Sequence, residues 1–224
     1  DNRGLFQRFP SNIEKMVKLR ELSIFDTKIN KLLPNLFEIP RLEKLVVSMA
    51  FLNEIPEQII NAKYLTTLDL GRNNISEVPP LLGLNLHEID LCENNITALP
   101  KDLGSITTLK KILLDDNEIQ ECSEEFLHMK NLETLSIQGN RLKELPDLSN
   151  NISLKELDCS YNPLERLPKW IESLNLKKLF IGGVTLNEES KKTLNVLKSY
   201  GTKVVENKPR VYLHSWDYKD TQNQ

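Results

Sequence analysis

Five carboxylates stand out among the residues able to do chemistry: Asp69, Asp90, Glu93, Asp115 and Asp116. They recur at nearly the same spacing, Asp69 with Asp90 and Glu93 with Asp116. A crowded set of carboxylates can work as a general acid–base pair, hold a divalent cation, or attract a basic protein or peptide. The remaining residues favour the last of these. There is no Gly-rich phosphate loop, no nucleophile elbow and no paired Cys or His spacing of the kind that ligates a metal. The three histidines, His87, His128 and His214, lie in different parts of the chain. The three cysteines, Cys92, Cys122 and Cys159, are an odd number without paired spacing, so a disulfide framework is not expected and a reducing compartment is favoured. The reading at this level is a chain without catalysis, cofactor or metal.

What positions the carboxylates is a repeat. The stretch from Leu65 to Pro79 has the skeleton Leu65, Leu68, Leu70, Asn73, Ile75 and Val78-Pro79. Its opening leucine recurs as Leu19, Leu42, Leu65, Leu86, Leu109, Leu132, Leu154 and Leu176, with one or two residues fewer in some intervals than in the longest. In these residues the chain resembles the leucine-rich repeat superfamily, in its 23-residue form with Leu-Pro after the loop and without cysteine caps. The resemblance implies an α/β fold: a right-handed horseshoe solenoid with a concave parallel β-sheet, a mostly irregular or short-helical convex side, and a C-terminal helical cap. It also likens the chain to bacterial repeat proteins, those of spirochaetes included, and to intracellular scaffold members.

Within each unit apolar and polar residues alternate around the leucines, the pattern of a half-buried strand. Stacked units then pair their strands in parallel. Asn73, Asn94, Asn117, Asn140 and Asn162 fall where the chain leaves the strand, and an inward Asn can bond the enclosed backbone of its own and the neighbouring turn. Thr27 is expected to do part of this and Ala50 none, which makes the N-terminal third the looser end, with water at Ala50. Leu103 with Ile106, Phe126 with Met129, and Ile171 with Leu174 keep helix-like spacing and close the core from the convex side. The repeats are expected over residues 1–186, as a partial unit over 1–18 followed by eight units from Leu19. Residues 187–205 read as a C-terminal cap, with a helix start at Asn187, a stop at Gly201 and a last strand over 202–205. Residues 206–224 leave the pattern; Val211, Tyr212, Leu213, Trp216 and Tyr218 either seal the cap or dock on a partner. The first unit lacks its strand, so the natural chain is expected to extend before Asp1, and the open first layer admits an end-to-end dimer.

The register sends one set of side chains to the concave face. A middle position reads Ser23, Val46, Asp69, Asp90, Leu113, Ser136, Asp158 and Phe180. The next reads Phe25, Ser48, Gly71, Cys92, Asp115, Gln138, Ser160 and Gly182, and the one after it Asp26, Met49, Arg72, Glu93, Asp116, Gly139, Tyr161 and Gly183. Strands lie roughly 4.8 Å apart, so equivalent residues of adjacent units are neighbours. The five carboxylates thus form one acidic patch, with Arg72 beside it, Phe25, Val46 and Met49 as an apolar patch toward one end, and Tyr161 with Phe180 at the other. These eleven residues are the candidate contact surface.

The function that follows is recognition of a protein or peptide, of basic character, on the concave face. A net charge of −3 gives no reason to expect a nucleic-acid partner. No apolar run approaches the ~18 residues of a membrane span. A cytoplasmic location is favoured, with export to the cell surface as the alternative. Two further classes stay open: the recognition arm of a larger effector enzyme, and a surface adhesin for host proteins. Asn74, Asn95 and Asn151 each match the glycosylation acceptor pattern, which the repeat itself generates.

Overall fold

Every unit contributes a short extended segment, and these stack in chain order. The computed structural model describes residues 8–122 and 124–206. Its strands are β1 (Glu21–Phe25), β2 (Lys44–Ser48), β3 (Thr67–Asp69), β4 (Glu88–Asp90), β5 (Lys111–Leu113), β6 (Thr134–Ser136), β7 (Glu156–Asp158), β8 (Lys178–Phe180) and β9 (Lys203–Val205). They form one parallel sheet in the order β1 to β9, with each strand paired to its sequence neighbours. Leu22, Leu45, Leu68, Ile89, Ile112, Leu135, Leu157, Leu179 and Val204 fall in a single register column. Connections of nearly equal length and one unbroken register make this a leucine-rich repeat solenoid rather than a closed barrel or a doubly wound sheet.

The return side is built from short 3-10 segments: Ile13–Lys15, Pro34–Glu38, Glu57–Asn61, Lys101–Ser105, Glu124–His128 and Lys169–Ser173. Pro56, Pro100 and Pro168 stand in extended conformation just before three of them, which sets their starts without using a helical N–H. The units that open at Leu65 and Leu132 are shorter than the two that open at Leu19 and Leu42, and they carry no helical segment on this side. Their missing residues come from the return path. Leu103, Ile106, Phe126, Met129, Ile171 and Leu174 are all buried and close the core against the strand leucines.

The enclosed turns are held by asparagine. Asn94 Nδ2 donates to the carbonyls of Leu91, Cys92 and, in the preceding unit, Leu70, at 3.0–3.2 Å. Its Oδ1 accepts the Ile75 N–H at 3.0 Å. Asn73, Asn117, Asn140 and Asn162 repeat this set. The N-terminal units depart from it in a way the sequence did not show. Ala50 is fully buried, and Asn73 Oδ1 accepts two N–H groups, those of Ala50 and Leu52, each at 3.1 Å. The backbone re-aims to allow this, and Phe51 takes a left-handed φ of 57° while its ring stays 60% exposed. The compensation at Ala50 therefore comes from the next unit's asparagine. Thr27 does not stand in for Asn as expected: its buried hydroxyl has no hydrogen-bond partner among the described residues.

After β8 the chain forms helix α1 (Glu188–Ser199). Asn187 caps it by accepting the Ser190 N–H at 2.8 Å, Glu188 and Glu189 occupy the first turn, and Lys198 the last, in accord with the helix dipole. Gly201, at φ 90°, turns the chain into β9. Thr193, Leu194 and Leu197 are buried where α1 packs on the Lys169–Ser173 segment and β9. Residues 1–7 of the expected partial unit and the cluster from Val211 to Tyr218 lie outside the described residues.

Replacing Asn94 with Ala removes four hydrogen bonds from an enclosed turn and should lower the unfolding free energy by about 3 kcal/mol. The exposed neighbour change Asn95→Ala should stay within about 0.5 kcal/mol of the parent. Ala50→Asn, which restores the ladder, should raise stability by about 1 kcal/mol. Urea midpoints with unchanged slopes check all three.

Candidate functional site

In-register pairing converts each repeat position into a row that crosses the strands at about 4.8 Å per step. On the face away from the core the row nearest the strand starts is Glu21, Lys44, Thr67, Glu88, Lys111, Thr134, Glu156, Lys178 and Lys203. Two residues along lies the row from Ser23 through Val46, Asp69, Asp90, Leu113, Ser136, Asp158 and Phe180 to Val205. A third row continues as Ser48, Gly71, Cys92, Asp115, Gln138 and Ser160. The carbonyls of Cys92, Asp115, Gln138 and Ser160 accept N–H groups from the unit before.

A rim follows the third row, and its geometry is uniform. Asp26, Met49, Arg72, Glu93, Asp116 and Tyr161 all have φ between 51° and 59°, and Gly139 and Gly183 occupy the same repeat position at 65° and 73°. These residues come just before the turn asparagine or the residue in its place, so the turn dictates a left-handed backbone whichever side chain is present. Such conformations cost roughly 1–2 kcal/mol for a residue with a Cβ. Tyr161 lays its ring across Gly183, where an added Cβ would stand 2.7 Å from ring carbon Cδ1.

The carboxylates hold backbone as well as charge. Asp69, Asp90 and Asp158 each accept, through Oδ1, the N–H two residues on, from Gly71, Cys92 and Ser160, at 3.0–3.1 Å. Asp115 Oδ1 accepts the Gln138 N–H at 2.9 Å and the Ser136 hydroxyl. Asp69 and Asp90 converge: a methyl group at Gly71 would lie 3.5 Å from Oδ1 of each. The Cys92 thiol sits among these acids, and burial followed by the charges of Asp90 and Asp115 holds its pKa well above the usual thiol range. Arg72 Nε meets Glu93 Oε1 on the rim at 3.1 Å.

The structure brings the expected residues onto one face in three groups. Phe25, Val46 and Met49 lie at β1 and β2, the five acids with Arg72 in the middle, and Tyr161 with Phe180 toward β8. It corrects their exposure. Val46, Asp69, Asp90 and Asp115, expected as surface positions, are buried, and so is Cys92, expected to face solvent. Phe25, Met49, Arg72, Glu93, Asp116, Tyr161 and Phe180 are half-buried.

Sequence reasoning passed over the row at the strand starts. Lys111 Nζ pairs with Glu88 at 2.7 Å and Lys178 Nζ with Glu156 at 2.8 Å, between adjacent strands. One residue earlier, Arg20 pairs with Glu43 and Lys155 with Glu133. The Lys155 hydrogen bond and charge, with Lys110 and Lys177 nearby, hold the Glu133 carboxyl below the usual range. The signal was available: two residues after each opening leucine the chain reads Glu, Lys, Thr, Glu, Lys, Thr, Glu, Lys.

Family models described as Leucine Rich Repeat, Leucine rich repeat and Leucine Rich repeats (2 copies) match residues 64–84, 84–142 and 130–173. The chain is a leucine-rich repeat protein. The probable inactive serine/threonine-protein kinase roco10 of Dictyostelium discoideum is 33% identical over 59% of this chain and 5% of its own length. The protein phosphatase 1 regulatory inhibitor subunit PPP1R7 homolog of Arabidopsis thaliana is 31% identical over 57% of this chain and 39% of its own. The chain thus spans well under half of either relative. An internalin (inlF) from Listeria monocytogenes shares the fold at 19% identity, with a TM-score of 0.74, covering 89% of this chain and 64% of that one.

Within the leucine-rich repeat frame, the remaining chemistry-bearing residues find structural places. Asn151 is fully buried and donates to the Phe126 and Met129 carbonyls, both at 2.9 Å, so of the three acceptor patterns only Asn74 and Asn95 are exposed. Among the described residues no group of three or more His, Cys, Asp or Glu is placed to hold a metal ion, and no helix is long and apolar enough to cross a membrane. Cys159 is buried in the core, and burial raises its thiol pKa strongly. At about pH 7.5, a maleimide or iodoacetamide should therefore modify the half-buried Cys122 first, with Cys92 and Cys159 slower by at least about tenfold. Peptide mapping of the labelled native protein checks the order.

Proposed function

We propose that this leucine-rich repeat protein is a recognition module that binds a protein or peptide partner on the concave sheet face and catalyses no reaction. The observation that carries the reading is the rim: a line of half-buried side chains, Met49, Arg72, Glu93, Asp116 and Tyr161, each fixed by the same left-handed turn beside an acidic row. A line of preset side chains suits an extended partner, because little ordering entropy remains to be lost on contact. Half-buried apolar and aromatic groups at the two ends, with acids between, favour a partner carrying basic residues flanked by apolar anchors. Membership in the family supports a binding role, as does the relative named as a regulatory inhibitor subunit of a phosphatase. Asp69, Asp90, Asp115 and Asp158 bond backbone N–H groups, an arrangement suited to holding structure rather than moving protons.

The test uses rim residues that leave the enclosed hydrogen bonds intact. Glu93→Gln with Asp116→Asn should reduce capture of a basic partner at least about tenfold, since two charge-assisted contacts are lost. The far-UV spectrum and urea midpoint should not change. The convex-side control Glu144→Gln should bind as the parent does. Equal capture by all three proteins would remove the face from the interaction.

A further inference from the structure

The convex side fastens some units together and leaves others unfastened. Segments Ile13–Lys15, Pro34–Glu38 and Glu57–Asn61 pack in succession, Lys101–Ser105 packs on Glu124–His128, and Lys169–Ser173 packs on α1. The units opening at Leu65 and Leu132, which have no helical segment, are each tied to one neighbour by hydrogen bonds. The Leu81 N–H donates forward to Asp102 Oδ2 at 2.7 Å, and Asn151 Nδ2 donates back to the Phe126 and Met129 carbonyls at 2.9 Å. Two junctions are left, the one before Leu65 and the one before Leu154. Among the described residues no helical segments pack across either, and no hydrogen bond joins 56–64 to 77–85 or 146–153 to 168–175. At the first junction Ile60 and Leu82, in equivalent positions of adjacent units, are 39% and 62% exposed. At the second a groove of about 480 Å³ opens, lined by Leu145 and Asp147 of one unit and Leu167, Lys169 and Trp170 of the next. The Arg166–Glu144 pair that bridges it on the flank is exposed and holds weakly.

The concave side continues unbroken through both junctions. Strands β2 and β3, and β6 and β7, pair in register, and Asn73 and Asn162 bond the Val47 and Ile137 carbonyls of the preceding units. Glycine stands at the strand exit beside each junction, as Gly71 and Gly139. The other units from Leu19 to Leu154 carry side chains in both of those positions. A junction pinned on one face and loose on the other is a hinge about the pinned face, and small residues there absorb the backbone change. We infer that the solenoid flexes at these two junctions as three rigid blocks, residues 8–64, 65–153 and 154–206, whose outer two swing as jaws on the middle one. The blocks coincide with the grouping on the concave face. Phe25, Val46 and Met49 belong to the first, the five acids with Arg72 to the second, and Tyr161 with Phe180 to the third. Parting the convex side at a junction tilts the outer block inward and brings its apolar residues toward the acids. Closing that side moves them away. The spacing between apolar ends and acidic centre is thus adjustable, while the spacing within each group is fixed. What the jaws grip rests on the concave face being the partner site; the hinges themselves do not.

Spin-label distances in the full chain, on a Cys122→Ser background, test the hinges with pairs that each span three units on the convex side. Glu38→Cys/Lys101→Cys crosses the first junction, Lys101→Cys/Lys169→Cys the second, and Leu82→Cys/Asp147→Cys neither. All five positions are exposed. Distance distributions of the two crossing pairs should be at least about twice as wide as that of the third. Equal widths in all three, narrow or broad, overturn the inference, and broadening at one junction alone overturns the paired jaws. Should a labelled variant lose the parental urea midpoint, relaxation dispersion of the unmodified chain decides. Exchange is expected at Gly71 and Gly139 and not at their equivalents Cys92 and Asp116, and its absence overturns the hinges. A synthetic peptide with a lysine centre and tryptophan ends separates this from the recognition reading. Binding that Glu93→Gln/Asp116→Asn weakens should narrow both crossing distributions. Wide distributions with no binding count against recognition and leave the hinges standing; binding through the rim with equal widths gives the reverse.

Discussion

A solenoid must turn its chain once per unit with the peptide groups of the turn enclosed, and every other feature of this molecule depends on how those groups are satisfied. One asparagine side chain per turn does it, with three carbonyls on its amide nitrogen and an N–H on its oxygen. Because one of those carbonyls and the N–H belong to the preceding unit, each bond set also fastens two units together. Stability is then shared between neighbours, as expected of a quasi-one-dimensional fold. The Ala50 unit shows how local the effect is. Its turn borrows the asparagine above, bends Phe51 into a left-handed conformation, and leaves β2 and β3 in register.

The same constraint shapes the concave face. The residue before each turn asparagine, or before the residue in its place, must adopt positive φ, and glycine takes that position only at Gly139 and Gly183. Arg72, Glu93, Asp116 and Tyr161 are therefore held in direction by a backbone they did not choose. Strain of this kind persists only where the surroundings over-determine it, and here the ladder does so. Residues presented in this way have their backbone direction set by the turn, a property that suits the proposed recognition role.

How much of this was legible in the sequence follows from what each feature depends on. The leucine column, the turn asparagines and the identity of the outward rows are written in the period, since each position has one environment. The left-handed rim is not, because Met49, Glu93 and Tyr161 carry no mark of positive φ. The burial of Asp69, Asp90 and Asp115 was also out of reach: periodicity tells which way a side chain points and not how far it is shielded from solvent. The charged row at the strand starts could have been read. It was hidden because Lys, Glu and Thr at exposed positions look like ordinary polar background until the register lines them up.

That row and the acid rows beside it obey opposite rules. Along Glu21, Lys44, Thr67, Glu88, Lys111, Thr134, Glu156 and Lys178, no two like charges are adjacent, and Thr separates each pair from the next. Exposed pairs of this sort contribute at most about 1 kcal/mol each, so the row does more to neutralise its edge than to stabilise the fold. The pattern breaks at the end, where Lys178 faces Lys203. In the rows beside it Asp69 stands next to Asp90 without alternation. The concave face thus carries a self-neutralised edge on one side and an acidic band on the other. Only the band projects a field, with a reach of about 10 Å at ordinary salt. In the proposed recognition of a basic segment, the direction of that field, and not the total charge of −3, would orient the segment as it approaches.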